Sequence, residues 1–113
     1  MAKEKLNVLW TTGDKEVALN MMFMYIINSL KHDWWEEVNL IIWGPSAKLV
    51  ADDKKIQEKI AECLEIGITI EACKACASNY NVADRLEEMG IEVKYMGEPL
   101  TAYIKSDSKV ISF

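Results

Sequence analysis

The stretch "VNLIIWGPS", residues 38–46, decides the fold class. Its first six residues are mostly β-branched or bulky and almost uninterrupted by polar side chains, which is typical of a parallel strand buried on both faces. Gly44 and Pro45 end this strand, and we expect Ser46 to cap a short helix over residues 47–51. A strand that must be covered on both sides predicts a sheet between two layers of helices.

Apolar runs at residues 6–10, 68–72, 91–95 and 110–113 predict four further strands. Between the runs, Asp14 and Asp53 are placed to cap helices, and Gly67 to end one. A turn is expected over residues 97–99, before a last short helix through Ile104. This alternation predicts an α/β protein, a three-layer α/β/α sandwich with a five-stranded parallel sheet, as a single domain over residues 1–113.

The composition excludes several classes of function. The chain has 113 residues, half of them hydrophobic, and a formal charge of −5 with scattered basic residues, so we expect no nucleic-acid partner. No apolar run approaches the ~20 residues that a membrane span needs. Residues 1–5 are charged and lead into only a short apolar run, so no signal peptide is expected. These features favour a cytoplasmic protein without a membrane partner.

The chain has three cysteines, Cys63, Cys73 and Cys76. An odd number in a cytoplasmic chain of this size favours free thiols over a disulfide framework. Cys63 lies on the apolar stripe of its predicted helix and is expected to be a packing residue. A structural zinc site normally takes four ligands, whereas the remaining pair is accompanied only by a distant His32, so we expect no metal and no cofactor.

The loops that follow the carboxyl ends of parallel strands share one edge of the sheet, where ligands bind. A thiol in the first turn of a helix there feels the positive end of the helix dipole, which lowers its pKa. Cys73 is therefore the candidate nucleophile, a thiolate at neutral pH that solvent can reach, and Cys76 is a second catalytic candidate. The candidate pocket and loop residues on this edge are Thr12, Gly13, Gly44, Ser46, Lys74 and Gly97.

Two other interpretations of the cysteine pair stay open. C-x-x-C at a helix start is also typical of a dithiol/disulfide redox protein, although the thioredoxin fold places the pair earlier than the third strand. A non-catalytic ligand-binding module would carry both cysteines without using them. The turns near Gly13 and Gly44 lack the repeated glycines of phosphate-binding or dinucleotide-binding loops.

The apolar block at residues 21–27 surrounds its predicted helix on every side. A small domain cannot cover all sides of such a helix, because a helix at a protein surface normally has one polar face. We therefore expect a homo-oligomer in which another copy covers the surplus apolar surface.

The segments "NLIIWGPSAKLV", "GITIEACKACASNYNVADRLEEMGI" and "VKYMGEPLTAYI" together resemble the DsrE/DsrF-like proteins, also called YchN-like. The resemblance covers essentially the whole chain. It implies a five-stranded parallel sheet, assembly into homotrimers or homohexamers, and a cysteine at the position of Cys73 that carries sulfane sulfur as a persulfide. Cys76 has no fixed counterpart in the sulfur-relay members of the family.

From this resemblance we expect a small cytoplasmic sulfur carrier, similar to a sulfurtransferase, that takes part in a sulfur relay with donor and acceptor proteins. Whether the protein is an enzyme in its own right stays open at this point.

Overall fold

The computed structural model describes residues 4–113, so the first three residues of the predicted domain and of the charged N-terminal stretch lie outside the described residues. The strands are β1 (Lys5–Trp10), β2 (Glu37–Ile42), β3 (Thr69–Cys73), β4 (Glu92–Lys94) and β5 (Lys109–Ser112). They form one parallel sheet in the order β4-β3-β2-β1-β5. The predicted α/β sandwich with a five-stranded parallel sheet is confirmed, whereas the domain boundary at residues 1–113 stays a prediction.

Helices make all four connections between strands. They are α1 (Lys15–Val17), α2 (Phe23–Lys31), α3 (Ser46–Asp52), α4 (Lys54–Ile66), α5 (Lys74–Asn79), α6 (Ala83–Glu88) and α7 (Gly97–Lys105). A π-helical segment, Ala18–Met22, joins α1 to α2, so these elements form one continuous helix that contains the apolar block at residues 21–27. Within residues 4–113, no helix is both long enough and apolar enough to cross a bilayer.

The strand order explains how the two faces of the sheet are covered. The chain steps from β1 to β4 through neighbouring strands in one direction, and right-handed crossovers then place α1 to α6 on the same face. We call this the first face, and its core contains Val8, Leu40 and Ile70 packed against Phe23 and Ile60. The crossover from β4 back to β5 runs the other way, so α7 lies on the opposite, second face.

The central strand β2 is buried on both faces, as its sequence predicts. All residues of β2 after Glu37 are buried, and their side chains alternate between the two faces. Leu40 belongs to the large core of the first face, and Ile41 belongs to a smaller cluster with Cys73 and Met96 on the second face. The second face therefore has a much smaller apolar core than the first.

Several predicted helix ends are confirmed. The Asp14 carboxylate accepts hydrogen bonds from the amides of Glu16 and Val17 at 2.8 and 3.2 Å, and Asp53 accepts one from Ile56 at 3.1 Å. The helix α4 ends at Gly67, whose φ of 101° is in the left-handed region.

Two local predictions are wrong. Ser46 is not the cap of α3, because Pro45 occupies the cap position and the Ser46 hydroxyl instead donates to the carbonyl of Trp10 at 2.6 Å. Gly97 and Pro99 do not form a separate turn. They lie in the first turn of α7, where the missing amide of proline costs no helical hydrogen bond.

Candidate functional site

Cys73 is the last residue of β3 and the cap residue of α5, at the carboxyl edge of the sheet. Its side chain faces the second face and packs with Ile41 and Met96, which leaves the residue only 5% exposed. The expectation that solvent reaches this sulfur is therefore wrong. The reason is the long-range contact with Met96, which no pattern around residue 73 contains.

Cys76 lies in the first turn of α5 and is half-buried, so it is the more accessible of the pair. Burial raises the pKa of the Cys76 thiol, and a hydrogen bond with Cys73 and the charge of that neighbour raise it further. A hydrogen bond from the backbone of Gly44 partly offsets the rise in pKa. Cys76 packs against the small cluster of the second face that contains Cys73, so the two side chains are neighbours, and the loop after β2 contributes to their surroundings.

Lys74 lies beside the cysteine pair, but its ammonium group is directed to an aromatic ring. Its Nζ is 5.3 Å from the ring centroid of Tyr95, which is 70% exposed. This cation–π contact, typically worth about 0.5–1 kcal/mol at an exposed site, places a positive charge and an exposed aromatic ring next to the cysteine edge.

The other predicted loop residues have different surroundings. Gly44 has a φ of 72°, a conformation that favours glycine, and its backbone contacts Cys76. Ser46 is fully buried and joins the ends of β1 and β2 through its hydroxyl. Gly97 is exposed at the start of α7.

The loop after β1 forms a separate surface at the same edge. The Thr12 hydroxyl accepts a hydrogen bond from the amide of Asp14 at 3.1 Å. Gly13 lines a surface depression of about 280 Å³ together with Pro45, Lys48, Leu49 and Asp52. The structure thus brings Cys73, Cys76 and Gly44 together, and it places Gly13 in a depression that these three residues do not line.

A polar cluster on the second face was not anticipated from the sequence. Glu71, two residues before Cys73 on the same side of β3, is 6% exposed. Its Oε1 accepts hydrogen bonds from Asn39 at 2.9 Å and from the Tyr103 hydroxyl at 2.6 Å, and its Oε2 is 2.6 Å from the Lys94 ammonium. Asn39 also donates to Asn7 at 3.2 Å, so the cluster joins residues of four strands, β1 to β4.

Electrostatics within this cluster are consistent with an ionised Glu71. Burial opposes ionisation, but hydrogen bonds from Lys94, Tyr103 and Asn39 outweigh it and lower the pKa of Glu71. Burial, together with the Glu71 carboxylate, raises the pKa of Tyr103 to about 12, so its hydroxyl stays a donor. The sequence signal for the cluster is Asn7 and Asn39, each in the middle of an otherwise apolar strand.

Cys63 lies in the core of the first face and is fully buried, as predicted for a packing residue. Burial, with a smaller contribution from the charge of Glu62, raises the pKa of its thiol to about 12. Within residues 4–113, no group of three or more histidine, cysteine or acidic side chains is arranged to hold a metal ion.

No family model matches the chain, and no curated protein matches it. Solved structures do match it, among them the following two. A conserved protein of unknown function, BT1422, from Bacteroides thetaiotaomicron is 48% identical, with a TM-score of 0.94, over 97% of this chain and 95% of that one. The crystal structure of the ychN protein from E. coli is 14% identical, with a TM-score of 0.72, over 99% of this chain and 100% of that one.

The similarity to the ychN protein confirms the predicted resemblance at the level of the fold, whereas membership of the DsrE/DsrF family stays a prediction. The identity with the Bacteroides protein extends over nearly the full length of both chains. The chain therefore belongs to the same family as this conserved Bacteroides protein of unknown function, and it has a YchN-like fold.

Proposed function

We propose that this protein is a small cytoplasmic sulfur carrier in which Cys73 holds a persulfide. The observation that carries the proposal is a pair of neighbouring cysteines in one small cluster at the carboxyl edge of a parallel sheet, with Cys73 at the point where a strand becomes a helix. Ligands of such sheets bind at this edge. The YchN-like fold is compatible with the proposal and does not by itself specify an activity.

The proposed step is a sulfur transfer between thiols. The Cys73 thiolate attacks the outer sulfur of a donor persulfide, the S–S bond of the donor breaks, and the donor leaves as a thiolate. Cys73 then holds one additional sulfur. An acceptor thiolate attacks this outer sulfur in turn, and Cys73 leaves as a thiolate, so that sulfur passes on without a net change in oxidation state.

The properties of Cys76 favour storage of the persulfide over its loss. If Cys76 attacked the inner sulfur of the persulfide, hydrosulfide would leave and a disulfide between Cys73 and Cys76 would form. The attacking species would have to be a thiolate, and the raised pKa of Cys76 keeps it protonated at neutral pH. A protonated Cys76 next to the anionic persulfide can instead donate a hydrogen bond to it.

Mass spectrometry after exposure to a low-molecular-weight persulfide tests this proposal. We expect one added sulfur atom on the peptide that contains Cys73, loss of this addition in Cys73→Ser, and its retention in Cys76→Ser and in the control Cys63→Ser. Full uptake of sulfur by Cys73→Ser would exclude the carrier role.

The proximity of the two cysteines within this cluster also supports a second candidate, a dithiol/disulfide redox protein. This function needs both cysteines, so Cys76→Ser would abolish it, whereas a carrier keeps working. A two-electron redox titration of the parent protein, in which the oxidised form contains the Cys73–Cys76 disulfide, would favour this candidate. If neither thiol reacts, a non-catalytic ligand-binding module is left.

We also propose that copies of the chain assemble into a trimer or hexamer, and that sulfur donor and acceptor proteins are its partners. The assembly is supported by exposed apolar side chains on α2, on the π-helical segment before it and on the loop after it. Met21, Met24 and Trp34 are each 55–56% exposed, and Tyr25 is 37% exposed. We call these four residues the α2 patch.

A further inference from the structure

Met96 is the residue that closes the second face over Cys73. It caps the start of α7, is 1% exposed, and forms the buried cluster with Cys73 and Ile41. Met96 thus covers Cys73 from the α7 side, together with the partly buried Leu100, and a reagent or partner that approaches from this side has to displace it. Because Met96 is continuous with α7, its displacement requires that the start of this helix moves.

The helix α7 is weakly attached to the sheet. None of its nine residues is buried, and it contacts the second face through the half-buried side chains of Leu100 and Tyr103. By contrast, α4 has three fully or almost fully buried side chains in the core of the first face. Helices with few buried apolar contacts open locally at a much lower free-energy cost than the rest of a protein.

One polar contact fastens α7 to the strand that carries Cys73. The Tyr103 hydroxyl donates to Glu71 Oε1 at 2.6 Å, and Lys94 and Asn39 hold the same carboxylate in place. The Lys5 ammonium lies over the Tyr103 ring, 4.6 Å from its centroid. A hydrogen bond to a buried carboxylate is stronger than one between neutral groups, so this contact can decide how often α7 is detached.

The segment after α7 is held to the sheet. The Ser108 hydroxyl accepts a hydrogen bond from Asn7 at 2.9 Å and lies 3.3 Å from the Tyr103 carbonyl oxygen. The next residues pair with β1 as strand β5. The chain is thus anchored on both sides of α7, by β5 after it and by β4, which ends two residues before Met96. Opening therefore means that the helix between these two strands lifts from the second face when the Tyr103 contact breaks.

From these contacts we infer that α7 is a lid over Cys73 and that the hydrogen bond between Tyr103 and Glu71 is its latch. Closed, the lid excludes water from the sulfur and would protect a persulfide from reduction. Open, it exposes the sulfur to a donor or acceptor. The use of the lid in sulfur transfer rests on the proposed function, whereas its effect on the accessibility of Cys73 does not.

Tyr103→Phe tests the latch, because it removes the hydroxyl and keeps the ring. The rate of alkylation by iodoacetamide is followed on separate peptides for Cys73 and Cys63 by mass spectrometry, in a Cys76→Ser background. We expect alkylation of Cys73 to accelerate roughly tenfold, the scale of one lost hydrogen bond to a charged group. Ile104→Ala, at a 61% exposed position of the same helix, should leave the rate unchanged.

Cys63 distinguishes a lid from a general loss of stability, because it lies in the core of the first face and only global unfolding exposes it. Acceleration at Cys73 alone supports the lid. No acceleration, or equal acceleration at Cys63, would overturn it. Uptake of sulfur from a persulfide is measured on the same variants. If Tyr103→Phe accelerates alkylation of Cys73 alone but the protein takes up no sulfur, the carrier function is refuted and the lid is still supported.

Discussion

At the scale of single residues, Glu71 links the candidate site to the stability of the fold. A carboxylate that is 6% exposed would be costly to bury without partners, and Lys94, Tyr103 and Asn39 provide them. Loss of one partner would leave a buried group unsatisfied. The cluster is therefore sensitive both to mutation and to protonation of the carboxylate.

Because the pKa of Glu71 is lowered, the stability that its carboxylate contributes decreases as the pH falls. The folded protein binds the Glu71 proton more weakly than the unfolded chain does. The stabilisation by this carboxylate is therefore complete above its ordinary pKa of 4.5 and is lost as pH falls through the lowered value.

We expect Glu71→Gln to lower the free energy of unfolding at pH 7 by about 1–3 kcal/mol, the usual cost of an unsatisfied buried polar group. The difference from the parent protein should shrink as the pH falls below 4.5. Urea denaturation at a series of pH values measures it. Glu92→Gln is the matched control, because Glu92 also contacts Lys94, at 3.2 Å, but its side chain is 65% exposed. A difference that stays constant down to pH 3 would contradict the assignment.

The sequence predicted the position of Cys73 but not its burial. The apolar run before it and the helix after it are local patterns, so they predict a strand that leads into a helix at that residue. Its exposure depends on Met96 and Ile41, which come from other strands and loops. Polar residues such as Asn39 can be recognised inside apolar runs of the sequence, but no local pattern assigns them to the second face of the sheet.

At the scale of elements, the backbone conformation at a helix end decides whether a glycine can be replaced there. Two glycines of this chain differ in that conformation. Gly67 ends α4 with a φ of 101°, which a residue with a Cβ atom adopts only under strain. Gly97 begins α7 without a positive φ, and nothing lies within 4 Å of the position that a Cβ atom would occupy. The same substitution should therefore have opposite effects at the two positions.

We expect Gly67→Ala to destabilise the protein by about 1–2 kcal/mol, the cost of a left-handed conformation for a residue with a side chain. Gly97→Ala should be neutral or stabilise by up to about 1 kcal/mol, because alanine reduces the freedom of the unfolded chain. Midpoints of urea denaturation measured side by side decide the matter. Equal destabilisation at both positions would mean that the φ of Gly67 does not determine its effect.

Caps explain which element boundaries the sequence could predict. Asp14, Asp53 and Gly67 act through neighbours within a few residues, so they can be recognised before the fold is known. Serine is a common helix cap, but the Ser46 hydroxyl donates a hydrogen bond to the carbonyl of Trp10 on β1. A tertiary contact of this kind takes the side chain away from the helix end.

At the scale of the whole molecule, the order of the strands decides where apolar surface is left uncovered. Six of the seven helices lie on the first face, and α2 turns Phe23 and Ile26 into that core. The α2 patch is on the outer side of the same helix, where the sheet cannot cover it. The Trp34 ring stacks on His32 and approaches Tyr25, with ring centroids 5.5 and 6.2 Å apart, so part of the patch is already ordered.

If copies of the chain assemble through the α2 patch, a charge within it should separate them without unfolding the protein. Met24 is 55% exposed, so Met24→Glu costs little in the monomer but would bury an unpaired carboxylate in the assembly. We expect equilibrium sedimentation at micromolar concentration to give a multiple of 12.9 kDa for the parent protein and a smaller mass for this variant.

Ile104→Glu is the control for this experiment, because it adds the same charge to an exposed apolar position on α7, on the opposite face of the sheet. It should keep the mass of the parent assembly if the contact is made through the α2 patch. A parent protein that sediments as a monomer would remove the need for any such contact. Dissociation by Ile104→Glu but not by Met24→Glu would move the contact to the α7 side, where assembly would then restrict the opening of the lid over Cys73.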